Sequence, residues 1–220
     1  MRKKGLWIFA LVLFFGLSLV LPPSIQTVVA AEKEIAIGIF VDLSGPTSSM
    51  AGQGYGRRDY LRYLNQKGGT SGWKFNPIMI DTKESIMEET KALKRFATQD
   101  NAVFVLGWST GGTLALRDDV NGTGIGFCSG SMTQLAVNPA KYPYNFIFGP
   151  TYEDQIRAAM DLMVQKGGKT VVFVRSELEW GKITYKNISE SDYAEKAGIK
   201  ILGDIHIPPS PTDLSTQMLQ

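Results

Sequence analysis

The 220-residue chain has one cysteine, Cys128, and one histidine, His206. A single cysteine excludes an internal disulfide. One histidine, one cysteine and scattered carboxylates offer no metal-ligand spacing, so neither a metal nor a cofactor is implied. No charge sign dominates either. The formal net charge of +2 falls to −1 once Arg2, Lys3 and Lys4 are set aside, which removes nucleic acid and an anionic membrane surface from the expected partners. Low-complexity tracts are also lacking. A hydrophobic share of 44% is ordinary for a globular protein, and the length suits one large or two small domains.

Residues 1–31 have the three-part layout of a secretory signal peptide. Arg2, Lys3 and Lys4 form the basic start, and residues 6–21 are an apolar or small run of 16. Pro22 and Pro23 break the run, and Ala30 and Ala31 offer cleavage points that fit equally well. The alternative is an uncleaved anchor, for which the run is short against the ~20 residues of a span. No cysteine follows the run, which argues against a lipid anchor. An exported chain without disulfides needs a sizeable core, as in a bacterial envelope protein. Cys128, in an apolar strand, reads as a buried inert thiol.

The remainder alternates strand and helix patterns. Residues 35–41 are an apolar, β-branched run expected as a buried parallel strand. A helix follows with Tyr55, Tyr60, Leu61 and Leu64, ended by Gly68 and Gly69. Strand 75–80 leads to Ser85 and Glu88, a capping-box pattern. The next helix is expected to bury Ile86, Leu93 and Phe96 and to expose Glu88, Glu89, Lys91, Lys94 and Arg95. Strand 102–106, helix 112–120 and strand 125–128 complete four strand–helix units of a doubly wound α/β domain. Right-handed crossovers should bring loops 42–52, 107–112 and 129–133 to one rim. Residues 141–150 read as a crossing to a second series: helix 152–165 with Ile156, Ala159 and Met163 on one face, strand 171–174, Trp180-Gly181 in a loop, helix 185–197, strand 199–207 and the start of a helix at 212–220. The expected layout is a signal peptide at 1–31, an α/β lobe at 32–149 and an incomplete second lobe at 150–220.

Gly107-Trp108-Ser109-Thr110-Gly111 matches the G-x-S-x-G turn of serine hydrolases. Such an enzyme needs a histidine base, and His206 alternates with isoleucines as an outward strand residue would. Gly52, Gly54 and Gly56 resemble part of a dinucleotide fingerprint, but they start about ten residues past the strand. Two hydroxyl-rich turns follow adjacent strands: Ser109, Thr110 and Thr113, then Ser129, Ser131 and Thr133. Together they could cradle a ligand carboxylate beside helix N-termini. Plain N-capping is the alternative, and composition does not choose between them.

The order Ile-Gly-Ile-Phe-Val-Asp-Leu-Ser-Gly-Pro, Tyr-Leu-Asn-Gln-Lys-Gly-Gly, Val-Leu-Gly-Trp-Ser-Thr-Gly-Gly-Thr resembles the branched-chain amino-acid-type solute-binding proteins of ABC importers. Tyr-Asn-Phe-Ile-Phe-Gly-Pro-Thr, Glu-Trp-Gly-Lys and Pro-Thr-Asp-Leu-Ser-Thr-Gln fit the same family. The resemblance implies a two-lobed type I periplasmic binding fold, each lobe a mostly parallel sheet flanked by helices, with the second lobe truncated. It implies a monomer outside the cytoplasm that traps an amino acid or related carboxylate or amide between its lobes and docks on ABC permease subunits. It places the ligand at Thr110 or Ser109, Ser131 and Thr133, with Trp108 bordering the turn, a residue near Met50 or Ala51 from the first loop, and Trp180 closing from the second lobe. Trp180 stands where the family usually has Tyr, and Gly111 and Gly130 are expected to enlarge the turns. A ligand-sensing module of the same fold is the second function implied.

Overall fold

β1 (Lys33–Val41) has its last five residues buried, as an apolar strand covered on both faces must. It is an interior strand of a five-stranded parallel sheet in a computed structural model that describes residues 33–219. The expected signal segment lies outside the described residues. Helix α1 (Gly52–Gln66) leads from β1 to β2 (Trp73–Asp81), and α2 (Ile86–Thr98) leads on to β3 (Phe104–Leu106). Helices α3 (Thr110–Ala115) and α4 (Arg117–Thr123) precede β4 (Gly126–Cys128), and β5 (Asn145–Phe146) is the last strand of this sheet. The order is β2-β1-β3-β4-β5, with every pair parallel. All strand ends therefore deliver their following loops to one edge.

The core of this part is aromatic. Phe40, Phe96 and Phe127 are fully buried. Phe40 stacks on Phe96 at 5.8 Å and meets Phe127 edge-on at 6.0 Å, geometries that ring quadrupoles favour.

After β5 come α5 (Tyr152–Gln165), β6 (Thr170–Ser176), α6 (Glu179–Ser189), α7 (Tyr193–Lys196), β7 (Lys200–Ile207) and α8 (Ser215–Met218). β6 and β7 form a separate two-stranded parallel sheet. Met160, Ile188, Ala194 and Ile199 make a second core beneath it.

Several expectations are corrected. Ile86 is 49% exposed and Glu89 is fully buried, so α2 presents Glu89, Leu93 and Phe96 inward. Ile86 is the first residue of the helix, whereas Glu89 is one turn above Leu93 on the inward row. Ser85 has an N-cap backbone but makes no side-chain cap bond. The helix expected over 112–120 is two helices, because Ser109 caps α3 early and the buried Leu116 turns the chain between α3 and α4. Met160, not Ala159, fills the inner row of α5. Trp180 stands in the first turn of α6 rather than in a loop, and the helix expected over 185–197 is split into α6 and α7. Among the described residues no helix is long and apolar enough to cross a membrane.

Candidate functional site

The turns after β3 and β4 are clasped by their hydroxyls. Thr110 Oγ1 donates to Ser131 Oγ at 2.7 Å, and Thr113 Oγ1 pairs with Ser129 Oγ at 2.8 Å. Ser129 Oγ also accepts from Ser131 N–H at 2.8 Å. Ser109 Oγ accepts from Gly112 N–H at 2.8 Å, as an N-cap does. Gly130 does not enlarge its turn. A Cβ there would lie 2.5 Å from Trp108 O and 2.8 Å from Gly107 O, so the bare glycine lets the two turns press together. Gly130→Ala is expected to cost about 1–3 kcal/mol by forcing backbone apart, read as a lowered denaturant midpoint at unchanged m-value.

These turns floor a cleft of about 220 Å³. Trp108, Ser109 and Thr110 line it, with Thr47, Met50, Arg57 and Glu84 from neighbouring elements and with Tyr152 and Trp180 opposite. The Trp180 and Tyr152 rings are 6.3 Å apart. α6 comes close to the end of β6 because residue 181 is glycine, where a Cβ would fall 2.3 Å from Ser176 O. Of the residues singled out from the sequence, Trp108, Ser109, Thr110 and Trp180 thus share one cavity. Ser131 is buried behind Thr110. Thr133 is turned away, donating to Glu153 Oε1 at 3.3 Å. His206 bonds Asp204 at 2.8 Å and Arg175 at 2.6 Å within the second sheet, with Arg175 and Asp204 also paired.

Arg57, Glu84, Glu89 and Tyr152 are the participants that sequence reasoning missed. Arg57 Nη1 donates to Gly107 O at 2.7 Å, and its guanidinium lies 5.7 Å over the Trp108 ring. Burial pushes its pKa down, yet a guanidinium stays cationic at neutral pH. It forms no ion pair among the described residues. Asp42 is buried and accepts from the Thr47 N–H and hydroxyl, each at 2.7 Å. Trp108 Nε1 donates to Thr47 Oγ1 at 2.9 Å, which fixes the indole. Glu84 lies 3.0 Å from the same hydroxyl. Burial, aided by the Asp42 charge, pushes its carboxyl up. Glu89, beneath the Ser109 turn, is pushed up to about 7, chiefly by burial. Ser109 N–H donates to its Oε1 at 3.3 Å, while Oε2 has no partner among the described residues. Among these residues no three His, Cys, Asp or Glu converge as metal ligands would.

Glu153 of α5 joins the two parts of the chain. It is fully buried and accepts from Gln134 N–H at 3.0 Å, Asn187 Nδ2 at 2.7 Å and the Thr133 hydroxyl. One carboxylate thereby ties the turn after β4 to α5 and α6.

The sequence model of one family, described as periplasmic binding protein, matches residues 34–220. No curated protein matches the chain significantly. Among solved structures, a substrate-binding protein of an ABC transporter from Aeropyrum pernix superposes with a TM-score of 0.73 at 22% identity, over 82% of this chain and 47% of that one. A branched-chain amino acid ABC transporter protein from Thermus thermophilus, solved with bound valine, gives 0.76 at 20% identity, over 86% and 49%. A solute-binding protein of an ABC transporter from Rhodopseudomonas palustris BisB5, in complex with 3,4-dihydroxybenzoic acid, gives 0.69 at 18% identity, over 84% and 50%. The chain spans about half the length of these structures. With the family match covering nearly all of the described residues and the parallel, doubly wound sheet of that fold in place, the chain belongs to the periplasmic binding protein family and has its type I fold.

Proposed function

We propose that this protein is the extracytoplasmic solute-binding subunit of an ABC importer. It captures an amino acid or related carboxylate or amide in the cleft and delivers it to the permease. The observation that carries this is the pairing of Arg57, a cation without an acidic partner among the described residues, with an aromatic wall formed by Tyr152 of α5 and Trp180 of α6. A guanidinium matches a carboxylate bidentately, and a wall on the far side of the cleft suits capture by closure about a hinge. Valine and 3,4-dihydroxybenzoic acid, bound in two of the similar structures, are both small carboxylic acids. Ser109 acts here as a cap, and no covalent chemistry is needed.

The test is a thermal-shift screen of amino acids, amides and small carboxylic acids. The double variant Thr110→Ala, Trp180→Ala is expected to abolish the shift given by the best ligand. An undiminished shift in that variant would place the pocket elsewhere. Labelling of Ser109 by a fluorophosphonate probe, lost in Ser109→Ala, would instead make it a nucleophile.

A further inference from the structure

The Thr47 hydroxyl reports a protonation state. It has one proton and two lone pairs. Its oxygen lies 2.7 Å from Asp42 Oδ2, 2.9 Å from Trp108 Nε1 and 3.0 Å from Glu84 Oε2. The indole N–H only donates, so it occupies one lone pair. Asp42 has the shorter contact and also receives the N–H groups of Gly45 and Thr47, so it is the acceptor of the hydroxyl proton. Glu84 Oε2 then faces the second lone pair. Two acceptors meet there unless Glu84 carries the proton and donates it. With the proton on Glu84, every Thr47 site is satisfied.

The loop is shaped to make this contact. Lys83 and Glu84 have φ of 55° and 53°, the left-handed region that non-glycine residues seldom adopt and that recurs at ligand sites. The charged groups around Glu84 are Asp42 after β1, Lys83 in its own loop, Arg57 of α1, Glu89 of α2 and Glu179 of α6. Within the cleft lining Glu84 is the sole carboxyl and Arg57 the sole cation among the described residues. An ionised Glu84 would oppose a bound carboxylate. A neutral one leaves Arg57 free to hold it, but offers no counter-charge to an ammonium.

Resting on the solute-capture function above, we propose that the ligand is a monocarboxylate with an apolar body. Its carboxylate sits at Arg57, its body lies among Met50, Trp108, Tyr152 and Trp180, and Glu84 sets the specificity as a neutral acid that rejects zwitterions. Binding is then tighter at low pH. Affinity falls by up to tenfold per pH unit once Glu84 must be reprotonated to admit the anion.

Two matched pairs test this: 3-phenylpropanoate against L-phenylalanine, and 4-methylpentanoate against L-leucine, titrated calorimetrically from pH 5 to pH 8. The acids lacking the amino group are expected to bind at least tenfold more tightly and to weaken as pH rises. Glu84→Gln, permanently neutral, is expected to raise their affinity at pH 8 and flatten the slope. An amino acid binding as tightly as its partner overturns the specificity while leaving solute capture intact. A wild-type affinity independent of pH also overturns it, without need of the variant. Binding by none of the four overturns the specificity, and the thermal-shift screen above then decides whether solute capture stands.

Discussion

Glu153→Ala is expected to lower the unfolding free energy by about 3–5 kcal/mol, because it orphans up to three donors, one buried and two part-buried, at roughly 1–3 kcal/mol each. Those donors are Gln134 N–H, Asn187 Nδ2 and the Thr133 hydroxyl. They come from three places: the turn after β4, the short 3₁₀ turn that follows it, and α6. The loss should therefore be felt in the relation between the turns that floor the cleft and the helix that carries Trp180, and not only in local stability. Glu153→Gln keeps one acceptor oxygen and should cost clearly less. Denaturant unfolding followed by far-ultraviolet circular dichroism measures both variants. A loss below about 1 kcal/mol for the alanine variant would mean that the tie contributes nothing beyond what water can replace.

The second large effect depends on pH. Glu89 is fully buried, and its carboxyl is pushed from the ordinary 4.5 up to about 7. A raised native value means that the folded state binds the proton more tightly than the unfolded state. The associated stability is fully present below about pH 4.5 and is lost as pH rises through 7. The shift is worth about 3 kcal/mol at 1.36 kcal/mol per unit. Glu89→Gln removes this dependence. The stability of the variant relative to wild type is expected to climb by about 3 kcal/mol between pH 4.5 and pH 8, measured as the difference of their unfolding free energies. Parallel curves for the two proteins across that window would show that Glu89 is not held against ionisation.

Both carboxylates escaped the sequence, for different reasons. Glu89 lies four residues before Leu93 and seven before Phe96, which places it on the buried stripe of α2 by spacing alone. Its polarity argued for exposure, and the position of the Ser109 turn above it could not be known. Glu153 lies in the first turn of α5, where an acid is ordinary; only the tertiary fold brings Thr133 and Asn187 to it. Arg57 carried a readable signal. Gly54, Arg57, Leu61 and Leu64 share the inner row of α1, the row on which Gly54 meets Val41, whereas Tyr55 and Tyr60 are exposed. The strands were legible because continuous apolar runs have few other uses. The convergence of the loops after β1, β3 and β4 followed from connection handedness. The glycine at 130 was read as space when it is contact, since a sequence does not say which backbone will approach. Trp180 was found by resemblance, and its helical position by neither resemblance nor periodicity, because Gly181 suggested a turn.

The first sheet contains no hairpin. Lys33 pairs with Trp73 and Ile37 with Phe104, so β1 has to wait for distant parts of the chain before either of its edges is filled. Non-local pairing of this kind slows folding, because each loop must be closed before its contacts give any return. Had β1 found its partner through a two-residue turn, the chain could collapse almost as soon as it was made. As built, it stays open for longer, and for a chain proposed to work outside the cytoplasm that delay leaves time to cross the membrane before the sheet closes.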